Sequence, residues 1–216
     1  MLFSGPSGTG KTMASGIVAK ELGLELYRAD ISRLISKYIG ETEKNLSLVF
    51  DEAKKCNMVL LFDETDALFS KRTAVKDSHD RGANIEISYL LQKIEEFDGV
   101  CVMTTNFLEN IDKAFFRRIT YIINFSLPNR SERKKIWHSM FKGPIPIEKN
   151  IDFDFLSKFE ISGGTIKNTA ISAAFFAAQQ NKKIETKDLI KSLIYEFKKL
   201  GHTIIKSDFN EYSYLT

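Results

Sequence analysis

Gly5-Pro6-Ser7-Gly8-Thr9-Gly10-Lys11-Thr12 stands between a short apolar run, Met1–Ser4, and a helical pattern that opens at Lys11. It matches G-x-x-x-x-G-K-[ST] at every constrained position. Glycines let backbone N–H groups converge on an anion, and a helix starting at Lys11 turns its positive end toward the same point. In that setting the Lys11 ammonium reaches β- and γ-phosphates, and the Thr12 hydroxyl holds Mg2+. Ordinary residue usage produces the pattern by accident in about one chain of this length in a hundred. A plain glycine-rich turn is the alternative, and it leaves the strand before and the helix after unexplained. The stretch predicts a nucleotide site at the end of a strand.

Outward from the loop, short apolar runs alternate with helical patterns as far as about residue 127, which is the rhythm of a parallel α/β sheet. The first helix is expected from Lys11 to about Leu22, ended near Gly23, with a strand over Leu24–Ala29. Glu41–Lys55 reads as a helix with Leu46, Val49, Phe50 and Ala53 on one face. Met58–Phe62 is continuously apolar, as expected of a central strand covered on both faces. Ile87, Leu90, Leu91 and Ile94 keep helical spacing and predict a helix over 84–97. Val100–Met103 and Tyr121–Phe125 are two more strand candidates.

Past Leu127-Pro128 the patterns over 131–142, 165–181 and 186–199 are all helical. The segment Ala170–Ala178 is apolar on nearly every side, so its helix is expected to be well packed. The organisation expected is an α/β nucleotide-binding domain over 1–127 and a smaller helical domain over 128–216.

Composition narrows the function. The 31 basic and 28 acidic residues leave a net +3, too little to draw nucleic acid by charge alone. No apolar run approaches the roughly 20 residues that span a bilayer, and MLFSGPSGTGKT has neither the basic n-region nor the cleavage site of a signal peptide. Cys56 and Cys101 lie far apart beside apolar runs, which favours a reduced, cytoplasmic setting over a disulfide scaffold.

A phosphate loop needs an acidic partner at the end of a buried strand, and Val59-Leu60-Leu61-Phe62-Asp63-Glu64 supplies one. Asp63 would hold Mg2+ through water, and Glu64 would orient and deprotonate the attacking water. Two acids after an apolar strand can also simply open a helix, since carboxylates favour helix N-termini.

Together these residues resemble the AAA ATPases of the AAA+ superfamily, ring-forming P-loop motors, and the resemblance runs from Leu2 to about Leu200. It implies a P-loop NTPase parallel sheet with flanking helices plus a small all-helical lid, with ATP and Mg2+ as ligands. Thr104-Thr105-Asn106 is similar to the family's sensor-1 motif, which implies that Asn106 helps to position the lytic water beside Glu64. Ile111–Arg118 resembles the segment that ends in arginine fingers, so Arg117 and Arg118 are both candidates to act on a neighbouring subunit's nucleotide. That implies a homo-oligomeric ring, commonly a hexamer.

Lys37-Tyr38-Ile39-Gly40-Glu41 is similar to the first pore loop of translocating members, where Tyr38 would grip an extended protein substrate with Lys37 and Ile39 beside it. Without the resemblance, Tyr38 reads as a residue packing a turn before a helix. The charged stretch Lys71–Arg81 corresponds to a second pore loop, or equally to a solvated connection.

Ser162-Gly163-Gly164-Thr165 falls where many AAA+ proteins carry a sensor-2 arginine. Its small residues match the protein-remodelling clade, and Gly164 would allow close backbone approach to adenine. The two glycines are also expected to break the chain ahead of a helix starting near Thr165.

The sequence departs from the pattern at its front, where Met1 stands four residues before Gly5, so a further adenine-binding segment is expected to be missing. The function implied is an ATP-hydrolysing motor that remodels, unfolds or disassembles proteins. A nucleotide-gated assembly scaffold with little turnover is the alternative of a different class, and a nucleic-acid motor is disfavoured by the charge.

Overall fold

The computed structural model describes residues 1–30, 34, 41–66, 88–111 and 113–215. Its residues fall into two compact units, one of Met1–Pro6 with Gly10–Ser126 and the other of Ser7–Thr9 with Leu127–Thr216.

Among the described residues the first unit has five parallel strands: β1 (Leu2–Ser4), β2 (Leu26–Ala29), β3 (Val59–Phe62), β4 (Cys101–Thr105) and β5 (Ile122–Asn124). Their order is β2-β3-β4-β1-β5. The helices are α1 (Lys11–Glu21), α2 (Glu41–Lys55), a helical stretch over 88–96 and the short α3 (Lys113–Phe116).

Strand side chains alternate between the two faces, and each face has its own core. Leu2, Leu60, Phe62, Cys101 and Met103 meet Leu46, Phe50 and Ala53 of α2 and Leu90 and Leu91 of the 88–96 stretch. Phe3, Val59, Leu61 and Val102 point the other way and meet Ala19 of α1. β3 and β4 are buried throughout, which is why their sequences carry no polar alternation. The register Ser4↔Thr105, Phe62↔Met103 and Ala29↔Phe62 sets the strand ends along one edge. In parallel sheets that carboxyl edge is where ligands bind.

The second unit holds α4 (Arg130–Met140), α5 (Phe153–Leu156), α6 (Gly163–Gln179), α7 (Thr186–Lys199) and a 3-10 stretch, Lys206–Leu215. Its core gathers Trp137, Leu156, Ile166, Ala173, Ile184, Leu189 and Leu193. The helix starts are written locally. Asn129 and Glu132 form a reciprocal capping box at α4, and at α7 the Glu185 N–H donates to Asp188 Oδ2 at 3.0 Å. α5 and the 3-10 stretch have no counterpart in the periodicity reading, because segments this short or this irregular show no helical period. Among the described residues no helix is long and apolar enough to cross a membrane.

Two expectations for α6 are corrected. The helix is well packed on one face but not on the other: Ile171 is 45% and Phe175 72% exposed, while Ile166, Ala170, Ala173 and Ala177 form the buried stripe. Its apolar content is high, but only one face meets α4 and α7. Nor do Gly163 and Gly164 break the chain before Thr165, since they are the first two residues of α6. The Ser162 hydroxyl accepts the Thr165 N–H at 3.2 Å and so sets the start at Gly163. The Gly164 N–H has no acceptor in its own first turn and donates to the Gly8 carbonyl at 2.8 Å, within the same unit. A side chain at Gly164 would come within 2.9 Å of the Gly8 Cα, which only glycine avoids.

Arg133 of α4 is buried without a carboxylate partner among the described residues. Its Nε donates to the Ser157 carbonyl at 2.9 Å, just past α5, and its Nη1 donates to the Pro128 carbonyl at 2.7 Å. The guanidinium thus ties the chain entering α4 to the end of α5. Arg133→Met keeps the aliphatic bulk and strands both carbonyls, so it should cost about 1–3 kcal/mol of stability. The single tryptophan, Trp137, is fully buried in this unit's core and reports the change as a lower urea midpoint in fluorescence. An unchanged midpoint would contradict this role.

Candidate active site

The phosphate-loop sequence turns sharply out of β1. Gly5 sits at φ +139°, and a Cβ there would overlap the carbonyl oxygen of Phe125. Glycine is therefore required on both conformational and steric grounds. At the far end Gly10 is the N-cap of α1, with no side-chain cap and no acidic residue in the helix's first turn. The opening N–H groups of α1 are left for an anion.

Lys11, buried at the start of α1, folds back over the loop. Its ammonium donates to the Gly5 carbonyl at 2.7 Å, the Pro6 carbonyl at 2.9 Å and Asn106 Oδ1 at 2.9 Å. Those three bonds match the three donors of the group. Burial pulls its pKa below the usual lysine value, and the carboxylates of Asp66, Asp63 and Glu64 oppose that shift. An ammonium held only by neutral oxygens gains strongly when phosphate oxygens replace them.

Beyond β3, Asp63 stands beside α1. The Thr12 hydroxyl lies 3.1 Å from each Asp63 oxygen, and the Thr104 hydroxyl donates to Asp63 Oδ1. Arg28 of β2 pairs with the same carboxylate at 2.8 Å. A hydroxyl and a carboxylate are hard oxygen donors, and the cationic partner at Asp63 marks a position where positive charge is favoured. Both suit Mg2+, which takes one or two carboxylates together with phosphates and water. Among the described residues no cluster of three His, Cys, Asp or Glu side chains could hold a metal.

Glu64 follows at φ 55°, a left-handed conformation that costs a non-glycine residue about 1–3 kcal/mol. Its N–H donates to Thr104 Oγ1 at 2.9 Å, and its side chain is exposed. Thr104 thus pins both acids, donating to one and accepting from the backbone of the next. Asn106 comes directly after β4 and reaches Lys11 with its oxygen. Lys11, Thr12, Asp63, Glu64 and Asn106 therefore share the carboxyl edge of the sheet.

Four further residues take part that the sequence reading did not single out. Arg28 is positioned by the β2–β3 register, which no local motif shows. Thr104 and Thr105 were quoted only as neighbours of Asn106. Asp66 accepts from the Thr105 hydroxyl, the Asn106 N–H at 2.9 Å and the Phe107 N–H at 3.3 Å. Its signal was present as a third acid in Asp63-Glu64-Thr65-Asp66.

Arg117 and Arg118 differ. Arg118 pairs with Glu95 at 2.6 Å, whereas Arg117 is exposed and makes no ion pair among the described residues. Lys37, Tyr38 and Ile39 lie outside the described residues, as does the charged stretch 71–81. Ser7, Gly8 and Thr9 of the loop, with Gly164, belong to the second unit.

The profile of the ATPase family associated with various cellular activities (AAA) matches residues 1–127. The chain belongs to the AAA family. This AAA chain is 31% identical to the 26S proteasome subunit RPT4 of Saccharomyces cerevisiae over 220 aligned residues, covering 94% of the chain and 49% of the relative. It is 30% identical to the proteasome-activating nucleotidase of Saccharolobus solfataricus over 203 residues, 89% of the chain and 51% of that protein. Against an AAA family ATPase of Sinorhizobium fredii, y4kL, identity is 35% over 153 residues, 68% of the chain and 44% of the relative. The chain spans about half the length of these curated relatives.

Proposed function

We propose that this AAA chain hydrolyses ATP and uses the reaction to remodel or unfold protein substrates, as one subunit of a homo-oligomeric ring, most simply a hexamer in the cytoplasm. The observation that carries the reading is the meeting of Lys11, Asp63, Glu64 and Asn106 at one sheet edge, with Lys11 and Asn106 2.9 Å apart. The names of the relatives, a proteasome subunit and a proteasome-activating nucleotidase, support the protein-directed part.

In this account Lys11 neutralises the β- and γ-phosphate charge, and the start of α1, from its N-cap Gly10, offers backbone N–H groups to their oxygens. Thr12, and Asp63 through water, would hold Mg2+, which when bound supplies charge neutralisation at the phosphates. Arg28, paired with Asp63 at 2.8 Å, holds that carboxylate in place beside Thr12. Glu64, exposed and held clear of the sheet, takes the proton of the attacking water, and Asn106 orients that water. Arg117 extends to the nucleotide of the next subunit, and Tyr38 with Lys37 and Ile39 contacts the substrate.

The test is phosphate release per subunit from ATP with Mg2+ across a range of protein concentrations. A finger acting in trans predicts specific activity that rises as rings assemble, since such fingers are worth about 10³–10⁵ in rate. ATP binding with turnover flat and near zero at every concentration would instead support a nucleotide-gated scaffold.

A further inference from the structure

The Asn106 carboxamide has a defined orientation, and Asp66 sets it. Asp66 Oδ2 accepts from Asn106 Nδ2 at 3.2 Å and from the Asn106 backbone N–H at 3.1 Å, while Oδ1 takes the same N–H at 2.9 Å. The Thr105 hydroxyl and the Phe107 N–H complete the donors around the carboxylate among the described residues. On its other side the carboxamide turns its oxygen to the Lys11 ammonium at 2.9 Å. Reversing the amide would set an NH2 group against the ammonium and an oxygen against the carboxylate, two repulsive contacts in place of two attractive ones. The network thus admits one orientation.

We propose that Asp66 is a positioning residue for ATP hydrolysis, holding the Asn106 side chain with its oxygen toward Lys11 and the phosphate side. The inference rests on the ATPase reading above and deepens it. Asn106 then presents an acceptor, which repels a phosphate oxygen and suits a water O–H. When the Lys11 ammonium turns to phosphate, that oxygen is released to accept from the water that Glu64 deprotonates. Asp66 reaches this water through Asn106; it hydrogen-bonds neither Lys11 nor Asp63 among the described residues, and its charge acts on the Lys11 ammonium only through space. A misplaced water lowers the chemical step and leaves nucleotide binding largely intact, which separates Asp66 from Lys11.

The experiment is a double-mutant cycle on the full chain with Asp66→Asn, Asn106→Ala and the pair, reading kcat, nucleotide Kd and the melting temperature. Each single variant should lower kcat by about 10-fold or more with Kd changed by less than about 3-fold, and the pair should fall no further than Asn106→Ala alone. Multiplied effects in the pair would show that Asp66 acts independently of Asn106 and would overturn the proposal. So would a loss of nucleotide binding in Asp66→Asn equal to its loss in kcat.

A second readout needs no turnover. In ¹⁵N-labelled protein without nucleotide, the Asn106 side-chain NH2 signals should exchange slowly and should move in Asp66→Asn. If the wild type turns nothing over, the ATPase reading fails, and these signals still decide whether Asp66 orients the carboxamide. Signals indifferent to Asp66→Asn would overturn it.

Discussion

Glu64→Gln should bind ATP as the wild type does and release phosphate at least about 10²–10³-fold more slowly, the range expected when a general base is removed. The substitution is isosteric and leaves the backbone arrangement untouched. Glu64 N–H still donates to Thr104 Oγ1, and the residue keeps its left-handed φ of 55°. The Glu64 side chain is exposed, so no buried partner is lost. What disappears is the carboxylate that accepts a proton. The strain at this position has a purpose in the account, because it places the side chain beyond the end of β3 and clear of the paired Asp63. Phosphate release together with a fluorescent-nucleotide titration separates the two effects. Hydrolysis at the wild-type rate would remove Glu64 from the chemistry, and parallel loss of binding would make it a ligand contact instead.

Lys11→Ala should act at the earlier stage and weaken nucleotide binding by about 100-fold or more. Charge-assisted hydrogen bonds contribute about 1.5–3 kcal/mol each, and two such bonds to phosphate exceed the ~2.7 kcal/mol of a hundredfold change. The Lys11 ammonium is bonded to Gly5 O, Pro6 O and Asn106 Oδ1, all neutral acceptors, in a buried position. The gain on exchanging them for phosphate is correspondingly large, and alanine forfeits it. Calorimetric titration with a non-hydrolysable ATP analogue measures the difference. Retained affinity would place the phosphates away from this loop.

Where chemistry depends on residue types at fixed spacing along the chain, the sequence was informative. The run Gly5–Thr12, the acids after Phe62 and the asparagine after Thr105 are local patterns, and Lys11 and Thr12 of that run stand with Asp63, Glu64 and Asn106 along one sheet edge. The helix Glu41–Lys55 could be read to both ends because Leu46, Phe50 and Ala53 keep its period. Contacts made across strands were not legible. Arg28 meets Asp63 only because β2 and β3 pair in the register Ala29↔Phe62, and Asp66 meets Asn106 only because β3 and β4 are adjacent. Nor could composition tell that α6 leaves Phe175 exposed, since apolar residues all round a helix do not say which faces find partners. At Gly163 the rule that glycines break helices lost to the Ser162 cap.

The central claim is that Lys11, Asp63, Glu64 and Asn106 form one hydrolytic site, and a single-turnover experiment tests it most directly. Protein in excess over γ-labelled ATP with Mg2+ is quenched over time, and the bound nucleotide is separated into ATP, ADP and phosphate. The account predicts that wild-type protein converts its bound ATP to ADP and labelled phosphate, while Glu64→Gln holds it intact. ATP that stays whole on the wild type as long as on Glu64→Gln, at concentrations where subunits associate, would contradict it.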